Sequence, residues 1–346
     1  MKTAKLYSFS DIRIEDIPIP KIGNKEALIK TKACGICSGD VMPWYIEKKA
    51  PLVIGHEPVG EIIEIGKECN FLPNFKLKVN DRVFVHHHAP CLNCKYCQRG
   101  DYVQCETWKK SRIIPGGISE YILVPETILL NDTLKLPDHI TYEDGVLIEP
   151  TACVVKSLRR SIIKKGDTLL VIGLGVMGQI HIMLAREYGA NIIIGADLVP
   201  FRLQKAIEFG ADYVIDVSKE ELYERVKDIT NGFMADIVIV CPNSVYAIKD
   251  GLKTVSPGGT VVVFTPSKPN EILDININEI YFKDINIVTS YSCGPDDTKT
   301  ALDFISKGII KAEKLITHRF SIDDTDRAYR ITAKARDSLK CAIIFN

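Results

Sequence analysis

Thr168–Ile172, TLLVI, runs straight into Gly173-Leu-Gly175-Val-Met-Gly178. An apolar run followed by G-x-G-x-x-G is the strand, tight turn and helix start that a dinucleotide-binding fold requires. The glycines permit the turn and a close approach of backbone to pyrophosphate, and a helix opening at Val176 and Met177 turns its free N–H groups toward that charge. Outward from this stretch come NIIIGA (191–196), DYVID (212–216), DIVIVC (236–241), TVVVF (260–264) and INIVT (285–289). Between them QIHIMLAREYG, PFRLQKAIEFG, KEELYERVKDITNG and YAIKDGLKTVSPGG read as helices, each closed by glycine. Buried strands alternating with helices predict a parallel sheet covered on both faces, so this half is a doubly wound α/β domain. Asp197 ends the strand after the turn, where its carboxylate can accept from the ribose hydroxyls and repel a 2'-phosphate, favouring NAD over NADP. Arg202, nearby, is expected to pair with Asp197 or lie by the adenine.

The first 150 residues differ. Short apolar runs broken by Gly, Pro and Asn (ALIKTKA, VGEIIEIG, DRVFVHH, SEYILVP) predict a β-rich domain, and TALDFISKGII with a final strand LKCAIIF can return the chain to it.

Two groups of metal-type residues lie in that half. Cys91, Cys94, Cys97 and Cys105 form C-x2-C-x2-C-x7-C, which lets four thiolates close around one tetrahedral zinc and leaves no position for substrate. Cys37 in GICSGD and His56-Glu57 in GHE supply thiolate, imidazole and carboxylate, a mixture suited to a catalytic zinc. Spacing alone leaves open whether they converge. Asp40 is placed to accept from the second nitrogen of His56 and fix its ring.

Composition narrows the function. Lys+Arg and Asp+Glu both number 44 among 346 residues, so there is no basic surplus for nucleic acid or an anionic membrane. The opening MKTAKLYSFSDIRIEDIPIP has no apolar core of a signal peptide, and no stretch approaches the roughly 18 apolar residues of a membrane span. Eleven cysteines, four of them in a metal pattern, suit a reducing compartment. A cytoplasmic location is expected.

Taken in order, GICSGD, GHEPVGEIIEIG, CLNCKYCQRGDYVQC, GGISEYILVP and GLGVMG resemble the zinc-containing medium-chain alcohol and polyol dehydrogenases over essentially the whole chain. The resemblance implies a GroES-like β-rich catalytic domain at 1–150 and 291–346, and a Rossmann domain at 151–290. It implies two zinc ions per chain and NAD, with hydride passing between an alcohol, polyol, sugar or amino alcohol and the nicotinamide. Cys37 and His56 become catalytic zinc ligands, Glu57 a ligand or near-ligand, and Glu149 of IEPTACV the fourth group. Glu149-Pro150 points to the sorbitol and threonine dehydrogenase branch.

By the same resemblance Ser290 lies near the nicotinamide, Lys340 contacts the pyrophosphate, and His87, Trp44 and Trp108 line the substrate pocket. His86 and His88 read as exposed residues at a strand end, and Cys293 as a buried apolar filler. Gly39 and Met42 stand where many members carry the hydroxyl and histidine of a proton relay, which puts the usual relay in doubt. The alternatives are a zinc-independent quinone or enoyl reductase on the same scaffold, and a pseudoenzyme that binds NAD and zinc. A homodimer or homotetramer is implied, with a small molecule as the partner.

Overall fold

A computed structural model describes residues 1–72 and 75–346. The chain divides into two compact units, Met1–Ala152 with Cys293–Asn346, and Cys153–Ser292. In chain order the strands are β1 (Lys2–Ser8), β2 (Asp11–Asp16), β3 (Ala27–Ile36), β4 (Leu52–Val53), β5 (Glu57–Ile65), β6 (Arg82–Val85), β7 (Tyr121–Val124) and β8 (Thr133–Lys135). Then follow β9 (Thr168–Ile172), β10 (Ile192–Asp197), β11 (Tyr213–Asp216), β12 (Ala235–Val240), β13 (Val255–Val263), β14 (Asn286–Thr289), β15 (Ile316–Phe320) and β16 (Lys340–Ile344).

The first unit is the expected β-rich one. Its larger sheet runs β15-β16-β3-β5-β6-β8 with β7 also on β3, and a smaller sheet runs β2-β1-β4. Strand β3 serves two cores. Ala27 and Ile29 pack with Ile62, Val83 and Ile122. Past a register shift between Thr31 and Ala33, Cys34 and Ile36 pack instead with Leu6, Tyr329 and Ile343. A bulge changes which alternate residues face a given side, so one strand can feed both clusters. Antiparallel pairing sets Gly35 opposite Glu57, and Ile36 opposite Cys341. The ends of β3, β5 and β16 therefore meet.

The second unit holds six parallel strands in the order β11-β10-β9-β12-β13-β14. This is the doubly wound order, with the nucleotide turn on the central β9. Successive residues of β9 go to opposite faces: Leu169 and Val171 join one core with Ile193 and Ile237, while Leu170 and Ile172 join another with Ile194 and Val238. Burial on both faces is why these runs lack polar alternation. One boundary differs from expectation. The helix Val245–Thr254 stops early and β13 begins at Val255, since Val255 is β-branched and Pro257 cannot continue a helix. Among the described residues, no helix is long and apolar enough to cross a membrane.

Candidate metal centres and nucleotide site

Cys37 follows β3 directly, His56 precedes β5, and the antiparallel pairing of those strands brings the two ends together. Ligand atoms of Cys37, His56 and Glu57 lie within 4.8 Å of one another. A short turn, Ser38–Val41, carries buried Asp40 back so that Oδ2 lies 3.1 Å from His56 Nδ1. A carboxylate at that distance favours the proton on Nδ1, which would leave the Nε2 lone pair for a metal. The set favours positive charge: burial lowers the His56 imidazole, yet Asp40 and Cys37 together hold it well above its ordinary value. The donors fit a divalent cation of zinc's softness.

Glu57 has a partner the sequence did not suggest. Lys340 Nζ lies 2.6 Å from Oε1 and 2.5 Å from Oε2, and both side chains are almost fully buried. The family resemblance implies that Lys340 contacts the pyrophosphate; its ammonium is instead directed to this carboxylate. Burial pushes Glu57 upward, with Lys340 opposing. Gly35 makes room for the pair, because a Cβ there would fall 1.8 Å from Glu57 Oε2 and 2.9 Å from Lys340 Cε.

The relay positions offer no hydroxyl. Ser38 points to solvent, and a Cβ at Gly39 would touch Cys37 Sγ and Met42 Cε. Glu149, expected as the fourth ligand, is grouped with His86 and Cys293 rather than with Cys37, His56 and Glu57.

His86 and His88 were expected at the surface and are buried. His88 lies against Trp108, ring centroids 4.3 Å apart and tilted by 31°, and its Nδ1 lies 2.6 Å from the Ser111 carbonyl; burial and Arg112 hold it down to about 3. His87 lies between its neighbours, 4.8 Å from His56 ring to ring, with burial holding it well below its usual value. Its Nδ1 and the Trp44 indole N–H are buried with no hydrogen-bond partner. Trp108 belongs elsewhere than expected, in the core of the four-cysteine lobe with Val103.

In that lobe the sulfurs of Cys94 and Cys97 are 3.5 Å apart, Cys91 and Cys105 3.6 Å, and Cys91 and Cys97 4.0 Å. Tetrahedral zinc with bonds of about 2.3 Å sets sulfur edges near ~3.8 Å. Burial resists ionisation of Cys105, but backbone N–H groups of Cys91 and Trp108 bring it down to about 6. The lobe fits a closed zinc site.

The glycine turn in the second unit divides its work. Gly173 has φ of +85°, and a Cβ at Gly178 would fall 2.1 Å from the Gly173 carbonyl oxygen, so both are required by the fold. Gly175 would meet nothing within 4 Å. Its lack of a side chain instead leaves the backbone open to an approaching group, as a phosphate cradle needs. Val176 and Met177 open the helix Val176–Ala185. Asp197 Oδ2 accepts from Leu174 N and Oδ1 from Leu198 N and Val199 N, while Arg202 Nη1 lies 3.4 Å from Oδ2. Ser290 is buried just past β14, with its hydroxyl oxygen unpartnered.

A mixed thiolate, imidazole and carboxylate set in one unit and a nucleotide turn in the other define a metal- and nucleotide-dependent oxidoreductase. Known proteins agree. Residues 23–138 match the alcohol dehydrogenase GroES-like domain, and residues 176–307 match the zinc-binding dehydrogenase domain. A sorbitol dehydrogenase of Bombyx mori is 31% identical over 98% of this chain and 97% of its own. A candidate zinc-binding dehydrogenase from Sinorhizobium meliloti 1021, solved with NADP, superposes with a TM-score of 0.87 at 26% identity over 99% of both chains. An Escherichia coli CFT073 alcohol dehydrogenase, solved with NADH, gives 0.87 at 27% identity over 100% of this chain and 99% of that one. The chain belongs to the zinc-containing medium-chain alcohol and polyol dehydrogenase family, and its chemistry is alcohol or polyol oxidoreduction.

Proposed function

We propose that this chain oxidises a secondary hydroxyl of a polyol with NAD, and reduces the matching ketone in reverse. The observation that carries this is the Cys37, His56 and Glu57 group, with Asp40 on the far nitrogen of His56. Cys37 and His56 would hold zinc, with Glu57 as the carboxylate grouped with them. When bound, zinc supplies Lewis-acid polarisation of the carbinol oxygen, and the nicotinamide supplies the hydride acceptor.

The residues do the rest. Asp40 keeps the proton on His56 Nδ1, so that Nε2 presents its lone pair. Lys340 balances the charge of Glu57. His87 Nδ1 and the Trp44 N–H, buried without protein partners, would take further hydroxyls, and a pocket with such groups penalises a substrate lacking them. Gly173, Gly175 and Gly178 with the N–H groups at Val176 and Met177 would take the pyrophosphate. Asp197 would accept from the ribose, with Arg202 beside it, and Ser290 would stand near the nicotinamide.

The reading includes a cytoplasmic homo-oligomer. Eleven cysteines free of disulfides support the first part, and exposed Ile277, Tyr281, Phe282 and Ile287 beside the edge strand β14 support the second.

The test is reduction of NAD, with NADP in parallel, across a panel of polyols, sugars and hydroxy amino acids, for the wild type and Cys37→Ala. Polyol-dependent NADH formation that Cys37→Ala abolishes, with loss of one metal and retained NAD binding, is expected. Full turnover in Cys37→Ala would refute the assignment.

A further inference from the structure

His86 belongs to a second donor set, separate from the Cys37, His56 and Glu57 group. Ligand atoms of His86, Glu149 and Cys293 lie within 4.8 Å of one another, and all three residues are buried. His86 continues β6 with the phase of buried Phe84, which turns it into the interior. Its Nδ1 lies 2.6 Å from Asp132 Oδ2, with neither side chain exposed, and Thr298 Oγ1 donates to the other Asp132 oxygen at 2.6 Å. Asp132 can only accept, so the imidazole proton sits on Nδ1 and the Nε2 lone pair faces Cys293 Sγ at 3.7 Å. For a tetrahedral zinc with bonds of about 2.0 Å to nitrogen and 2.3 Å to sulfur, the two donor atoms stand roughly 3.5 Å apart.

The arrangement repeats the catalytic one. In each set a cysteine, a histidine and a glutamate converge, and an aspartate takes the far nitrogen of the histidine: Cys37, His56, Glu57 and Asp40 in one, Cys293, His86, Glu149 and Asp132 in the other. Carboxylate-backed histidine is the form in which imidazole usually meets zinc. Placement along the chain adds a role. Glu149 stands just before the first unit ends at Ala152, and Cys293 is the residue at which the chain re-enters it.

We propose that His86, Glu149 and Cys293 form a third zinc pocket, which clamps together the points where the chain leaves and re-enters the first unit. On binding, the thiol of Cys293 loses its proton to solvent and the metal takes its place between sulfur and Nε2. Glu149 is thereby assigned to this pocket rather than to the Cys37, His56 and Glu57 group, in which it does not fall.

The experiment is native mass spectrometry of the full chain saturated with Zn2+ and freed of excess, for wild type, Cys293→Ala and the Cys37→Ala/Cys293→Ala pair. Three zinc ions in the wild type, two in Cys293→Ala and one in the double variant are expected. Two in the wild type, or an equal count in Cys293→Ala, overturns the proposal and leaves a hydrogen-bonded Asp132–His86–Cys293 network. Cys37→Ala alone removes a different ion, so failure of the catalytic assignment is read separately. Should Cys293→Ala not fold, Asp132→Asn keeps the shape and removes the carboxylate behind His86; zinc affinity for the third equivalent should fall roughly ten- to a hundredfold, and an unchanged affinity counts against the pocket.

Discussion

Lys340 and Glu57 form an ion pair sealed inside the first unit, the ammonium within 2.6 Å of both carboxylate oxygens and Glu57 grouped with Cys37 and His56. Removing one member strands the other charge, which in buried pairs costs about 3–5 kcal/mol. Lys340→Met should lower stability at neutral pH by that order, and Glu57→Gln added to it should restore much of the loss. The pH dependence has a definite sign. Glu57 is already raised above 4.5 by burial, and loss of Lys340 raises it further, so the folded form takes a proton the unfolded chain does not. The Lys340→Met deficit should therefore shrink as pH falls toward 4.5 and be full above the raised folded value. Denaturant midpoints at several pH values measure this; a deficit independent of pH would contradict it.

His181 gives the opposite slope. Its Nδ1 lies 2.8 Å from the Met177 carbonyl and its Nε2 2.9 Å from Ser157 Oγ, with the side chain wholly buried. Burial lowers it from 6.5 to about 4. Its contribution is complete above pH 6.5 and is lost as pH falls through that value, because the unfolded chain gains a proton the folded one refuses; the loss levels off near pH 4. Full loss amounts to about 3 kcal/mol. His181→Gln should flatten that part of the stability profile relative to wild type. Parallel profiles between pH 4 and 7 would show that His181 does not carry it.

The four-cysteine lobe should act on the substrate side at a distance. Trp108 is packed inside the lobe and the His88 ring lies tilted against it, one residue from His87. Cys105→Ala should lose one zinc, lower the melting temperature, and raise KM for substrate more than it lowers kcat. A variant short of one zinc with wild-type KM and melting temperature would show that the lobe supports nothing beyond itself.

The second unit was readable from local pattern because each strand run and closing glycine is contiguous in the chain. The start of β13 was misplaced, where a helix yields to a strand at Val255 without an intervening turn residue, and the short helix Ile277–Phe282 was not read at all. The four cysteines were equally plain. Residues joined by long-range pairing were not: His86 meets Cys293 and Glu57 meets Lys340 only after the sheet is assembled. One clue was present, since His86, just past β6, keeps the phase of Phe84, and an apolar aromatic in that phase argues for burial of both. The convergence of Cys37 on His56 needed the β3 and β5 register, which spacing does not contain.

The position of β16 between β15 and β3 sets a timetable for the chain's birth. Glu57 emerges from the ribosome 283 residues before Lys340. At about 5–20 residues per second, roughly a quarter of a minute to a minute passes before its counter-charge exists. Over that interval β3 has an unoccupied edge while the whole nucleotide-binding unit is synthesised. The half of the enzyme that begins first is thus completed last, and its vulnerable period belongs to translation rather than to the mature protein.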